Sequence, residues 1–134
     1  MNLWLETIED LRINGKTWED VLKVGTKNGY IKKELFEKIA KETNYDNGYG
    51  ASKIANDLVI EGKNFRMVRV EYDGNEWWRF ISFECFIGNK ELQNIKVLSV
   101  EKSNEIFGNE YIGWVNLEDL NINKNLDKED IDYE

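Results

Sequence analysis

Glu71-Tyr72-Asp73-Gly74-Asn75-Glu76-Trp77-Trp78 carries the strongest hairpin signal in the chain. A two-residue type I′ turn needs φ > 0 at both central residues, and Asp-Gly supplies that at low steric cost. The flanking segments, Phe65 to Tyr72 and Glu76 to Phe86, are rich in β-branched and aromatic residues and read as paired antiparallel strands. Working outward, Leu58-Val59-Ile60 reads as a strand before them, joined through Glu61-Gly62-Lys63-Asn64. Ile95 to Val100 reads as a fourth strand and Tyr111 to Val115 as a fifth. Residues 101–110 read as the polar loop between these last two.

The N-terminal third has a different period. Trp4, Ile8 and Leu11 recur at helical spacing, with Glu6, Glu9, Asp10 and Arg12 on the other side, so Leu3 to Ile13 reads as a helix stopped by Asn14-Gly15. Thr17, with Asp20 three residues on, is a capping-box variant that predicts a short second helix burying Trp18, Val21 and Leu22. Ile31 to Thr43 reads as the best helix, with a stripe of Ile31, Leu35 and Ile39 widened by Phe36 and Ala40. The pairs Glu34–Lys38 and Glu37–Lys41 support it in the favourable order. Ala51 to Asn56 and Asn116 to Leu120 each read as a single helical turn. The expected fold is therefore α+β: N-terminal helices packed on an antiparallel sheet of about five strands, forming one domain over residues 1–120, with a polar acidic tail over 121–134.

Composition narrows the chemistry. The 134 residues contain no histidine, no proline and one cysteine, Cys85, and carry a net charge of −8. Without histidine the chain lacks the commonest general base and metal ligand, so Ser-His and Cys-His nucleophilic systems are excluded. No intrachain disulfide can form, which suits a reducing cytoplasm. No apolar run approaches the ~20 residues of a membrane span, and the N-terminus lacks a signal-peptide pattern. Phosphate backbones and anionic membranes demand a positive footprint, so neither is expected as a direct partner. Glu118 to Glu134 holds Glu118, Asp119, Asp127, Glu129, Asp130, Asp132 and Glu134 against Lys124 and Lys128, seven acids against two bases and hence −5 of the −8. The folded body is only mildly acidic. The tail acids Asp127, Glu129, Asp130 and Asp132 are candidates for steering the protein toward a basic surface.

Adjacent strand residues point to opposite faces, so Trp77 and Trp78 cannot share a one-sided core. Trp77 aligns with Arg79, Ile81, Phe83 and Cys85, which read as the core face. Trp78 aligns with Glu76, Phe80, Ser82 and Glu84, a mixed face. Either both tryptophans are buried, under helices on one side and a loop or a dimer partner on the other, or Trp78 and Phe80 form an exposed aromatic patch rimmed by Glu76. The turn-rich loop from Tyr45 to Tyr49 would extend such a patch. Arg66 and Arg69 flank apolar strand residues and are expected to pair with Glu71 or Glu84.

Asn47-Gly48-Tyr49-Gly50, followed by Glu71 to Trp78, resembles small proteins of bacteriophages and prophages. In size and acidity the chain is similar to phage-encoded anti-CRISPR proteins and other anti-defence inhibitors. That resemblance implies inhibition by contact with a host nucleic-acid-processing complex, a protein or ribonucleoprotein with a basic surface, in the host cytoplasm. No cofactor, no metal and no catalytic residue is expected. Two alternatives stay open: a small enzyme or ligand-binding domain using carboxylates, and a phage assembly accessory protein.

Overall fold

The computed structural model describes residues 1–48, 50–82 and 87–123. Tyr49, Phe83 to Phe86 and the tail acids Asp127, Glu129, Asp130 and Asp132 lie outside the described residues, so the expectations placed on them do too.

The fold is α+β. Helix α1 (Leu3–Ile13) is followed by strands β1 (Val21–Thr26) and β2 (Gly29–Ile31), helix α2 (Lys33–Lys41), strands β3 (Val59–Gly62), β4 (Arg66–Tyr72) and β5 (Asn75–Ile81), and helices α3 (Val100–Phe107) and α4 (Leu117–Leu120). The sheet is antiparallel throughout, in the order β2-β1-β3-β4-β5. The β4–β5 turn, at one edge of the sheet, is the one read from the sequence: Asp73 has φ 52° and Gly74 φ 85°, and Tyr72 pairs with Asn75.

About five strands were expected and five are present among the described residues, but two are different ones. Thr17 opens only a single 3₁₀ turn, Trp18–Asp20, in which the Asp20 carboxylate accepts from the Thr17 N–H at 2.8 Å. The chain then extends into β1, and Leu22, expected in the core, is exposed. Lys27-Asn28 closes a tight hairpin, with Thr26 opposite Gly29. Gly25 is obligatory in that hairpin, since a Cβ there would sit 2.2 Å from the Gly29 carbonyl oxygen. Ile31 belongs to β2 and α2 begins only at Lys33. Phe36 and Ala40 are fully buried, while Leu35 and Ile39 are half-buried.

Neither late segment is a strand. In Ile95 to Val100, the Lys96 and Val97 N–H groups donate to one side-chain oxygen, Oδ1 of Asn121, and Ser99 caps α3 by accepting from Lys102 N–H. Residues read as a polar loop therefore form α3, which ends where Gly108 takes φ 69°. Tyr111 to Val115 runs as an irregular segment whose backbone is tied to neighbours rather than to a strand. Ala51 to Asn56 is not helical: Ile54 forms an isolated bridge with Ser99. The turn expected near Asn116 is α4, with the Asn116 side chain accepting from Asp119 N–H.

Val24, Ile60, Met67 and Phe80 are in register across four strands on one face, and that face carries the core beneath α1 and α2. Among the described residues no helix is long and apolar enough to cross a membrane.

Candidate functional site

The site grows from the pleat of β4 and β5. With Tyr72 opposite Asn75, Arg69 lies opposite Trp78, and Glu76 shares their face. The expected assignment of faces is reversed: Trp78 is 4% exposed and Trp77 is 40% exposed. Period-2 alternation separates the two faces without saying which one the helices cover, and the face with more charge is the buried one, where Arg69 and Glu76 pair. Glu76 and Tyr45, proposed as surface binders, are buried, and Phe80 is half-buried, stacked on Phe65 with ring centroids 5.2 Å apart.

Together the buried residues build a charge network. Arg69 donates to Glu6 at 3.1 Å, to Glu76 at 2.9 Å and to the Tyr45 hydroxyl at 3.2 Å. The Tyr45 hydroxyl in turn donates to the second Glu6 oxygen at 2.5 Å. Glu76 also accepts from the backbone N–H groups of Lys53 and Ile54, while its own N–H donates to the Asn47 side chain at 2.8 Å. Trp78 Nε1 donates to Thr7 at 2.9 Å, and its ring lies 4.8 Å from the guanidinium. Among the described residues the carboxylates that meet Arg69 are Glu6 and Glu76 rather than Glu71, because α1 delivers Glu6 to the inner face of the hairpin, while Glu84 lies outside the described residues. Burial opposes the Arg69 charge, but Glu6, Tyr45 and Glu76 outweigh it and hold its pKa above the ordinary value. Burial, partly offset by Arg69 and reinforced by Glu6, pushes the Tyr45 phenol up.

Above this network lies an open groove of about 340 Å³, lined by Met1, Leu5, Glu6, Glu9 and Asp10 of the N-terminal segment, with Asn47 and Trp77. Glu9 is paired bidentately with Arg12, at 2.6 and 2.9 Å. Asp10 has no ion pair among the described residues. Burial, then the neighbouring Glu6 charge, raise its pKa to about 6, with Glu9 adding to the rise and Arg69 opposing it. The groove therefore combines carboxylates with the exposed indole of Trp77, a combination that receives a cation well. The sequence places Glu6, Glu9 and Asp10 only on the side of α1 away from Trp4, Ile8 and Leu11. Nothing in helical periodicity marks which polar face will border a groove.

The Asp10 shift has a measurable sign. A carboxyl whose folded pKa lies above its unfolded value of 3.8 binds more protons in the native state. Its contribution to stability therefore falls as pH rises from about 4 to about 6 and stays lost above that. Asp10→Asn is expected to stabilise the protein at pH 7 by about 1 kcal/mol, less than the bare shift implies because the half-buried group is screened by water. The gain should vanish near pH 4 in urea melts. An equal gain at both pH values would assign the effect to something other than ionisation.

Compared with known proteins, the chain matches no family model, no curated protein and no solved structure.

Proposed function

We propose that this protein acts by binding a basic surface on another protein, through the groove between α1 and the β4–β5 hairpin. The observation that carries the reading is the convergence of Glu6, Glu9 and Asp10 with exposed Trp77 on one groove. The net charge of −8 points the same way. Asp10 is held partly desolvated beside like charges, so an incoming lysine or arginine relieves repulsion as well as forming its own contacts. Basic surfaces of this kind are what nucleic-acid-processing complexes present to phosphates. Inhibition of such a host complex, as in phage-encoded anti-defence proteins, is the activity this chemistry favours. The buried Arg69 network makes the groove a fixed surface, because it ties α1, the loop at Tyr45 to Asn47 and both hairpin strands together.

The test is capture from a bacterial lysate by the immobilised wild-type protein, alongside Glu9→Lys/Asp10→Lys and Trp77→Ala variants shown by circular dichroism to be folded. A basic partner is expected, with its association slowed roughly tenfold by the double charge reversal and the difference shrinking as salt rises. Capture and association rates that ignore both variants would move the function away from this groove.

A further inference from the structure

We infer that the acidic groove receives its partner as an added strand: an extended segment with lysine or arginine at alternate positions pairs antiparallel along the open edge of β5. The inference rests on the groove reading above and names the kind of segment that the groove takes.

The two edges of the sheet are treated differently. The order β2-β1-β3-β4-β5 leaves β2 and β5 outermost. At β2 the chain closes its own edge: Tyr30 N–H donates to the Lys90 carbonyl at 2.6 Å, and the Tyr30 carbonyl accepts from Leu92 N–H at 2.7 Å. Strand β5 is seven residues long and pairs with β4 alone among the described residues. An antiparallel ladder alternates between pairs that exchange main-chain bonds and pairs that do not. The two-residue turn makes Tyr72–Asn75 a bonded pair, so Val70–Trp77 and Val68–Arg79 are bonded pairs too. The N–H and C=O groups of Glu76, Trp78 and Phe80 therefore point away from β4. Glu76 shows this directly, since its N–H donates to Asn47 Oδ1 at 2.8 Å. Asn47 thus fills the first rung of the open edge with a side-chain amide. The next two rungs, the main-chain groups of Trp78 and Phe80, have no partner among the described residues. Unmade rungs on a sheet edge are a template for another chain. The edge opens on the groove, because Trp77 of the strand and Asn47 on the Glu76 rung are both groove residues.

Charge and pleat select the occupant. Helix α1 lies over the face of β5 that carries Glu76, Trp78 and Phe80, as the Trp78–Thr7 and Arg69–Glu6 bonds show. Asp10 lies one helical turn beyond Glu6 and lines the groove with no ion pair among the described residues. In antiparallel pairing, residues opposite one another share a face. The residues that bond Trp78 and Phe80 therefore direct their side chains toward α1, where a lysine or arginine meets Asp10. The intervening side chains fall on the other face, beside Trp77 and the exposed Arg79. A cation is repelled there, and an apolar side chain packs on the indole. A second copy of the chain is disfavoured as the occupant, because it would set two groups of groove carboxylates against each other.

The probe is a capped seven-residue peptide, the length of β5, in which valine alternates with lysine. Titrated into the nitrogen-labelled full chain, it is expected to slow exchange of the Trp78 and Phe80 amide protons by about tenfold or more, leaving Tyr30 on the closed edge unchanged. Methylating the peptide's lysine amides should weaken binding by about tenfold or more and methylating its valine amides by less than about twofold, because only the lysine amides face β5. Glutamate in place of lysine should abolish binding. Absence of binding by the parent peptide up to about 1 mM overturns the added strand. So does any other methylation pattern, or exchange at Trp78 and Phe80 that the peptide leaves unchanged. A dimer of the protein alone in equilibrium sedimentation, with those two amides protected, makes a second copy the occupant and overturns it as well. Peptide binding that Glu9→Lys/Asp10→Lys abolishes, without methylation dependence or amide protection, removes the added strand and leaves the groove reading standing. Methylation dependence and protection that survive the charge reversal remove the groove's carboxylates from the reading instead.

Discussion

Arg69→Ala is expected to destabilise the protein by about 3–5 kcal/mol, the range for removing one partner of a buried ion pair. The Arg69 side chain is 2% exposed, and Glu6 and Glu76, at 7% and 3%, would be left as buried carboxylates without their cation. The loss extends beyond Coulomb attraction. Glu76 organises the Lys53 and Ile54 amides, and Tyr45 positions the loop that carries Asn47, so α1 and the hairpin loosen together. Urea denaturation followed by tryptophan fluorescence measures the change. The triple variant Arg69→Met/Glu6→Gln/Glu76→Gln should recover part of it, because neutral groups carry a far smaller desolvation penalty than stranded charges. A cost below about 1 kcal/mol for Arg69→Ala would mean that water or a rearranged α1 solvates the two carboxylates, and the groove above them would no longer count as fixed.

Phe36→Ala is expected to cost about 3–5 kcal/mol, through lost transfer energy and the cavity left behind. Phe36 is fully buried on α2 and stacks on Trp18 with centroids 5.8 Å apart, and Trp18 meets Trp4 of α1 edge-on at 4.9 Å. Lys33 fastens the same corner, its ammonium 4.9 Å from the Trp18 ring and bonded to the carbonyls of Trp18 and Val21. The variant should lower the urea midpoint and weaken the near-ultraviolet dichroism of the tryptophans. A fully retained near-ultraviolet signal with a cost under about 1.5 kcal/mol would show that Trp18 collapses into the gap.

Much of the fold is legible in local chemistry. Asp73-Gly74 dictates its turn because few other dipeptides adopt φ > 0 twice, and both residues do so. The span of α1 and its stop at Asn14-Gly15 are read correctly, but its buried line is Leu3, Thr7 and Leu11, with Trp4 and Ile8 half-buried. Helix α3 was also legible, and the reading missed it. Ser99 as N-cap, Glu101 in the first turn and Gly108 past the end form a start-and-stop pair. The β-rich composition of Ile95 to Val100 suggests a strand over the residues that lead into that cap. The β1–β2 hairpin was harder, because a capping signal at Thr17 and a short apolar run suit a helical turn as well as a strand start.

The candidate site divides along the same line. Sequence alone determined that Trp77 and Trp78 face apart, that a tight turn precedes them, that no histidine chemistry is present, and that the chain is acidic. Tertiary structure decided which tryptophan is buried, which carboxylates meet Arg69, and that Glu6, Glu9 and Asp10 border a groove. The physical reason is range. A turn dipeptide or a pleat is a property of residues within a few positions of one another. Burial of a charge depends on partners 63 positions away in the Glu6–Arg69 pair and 71 in the Trp78–Thr7 bond, which become neighbours only when α1 docks.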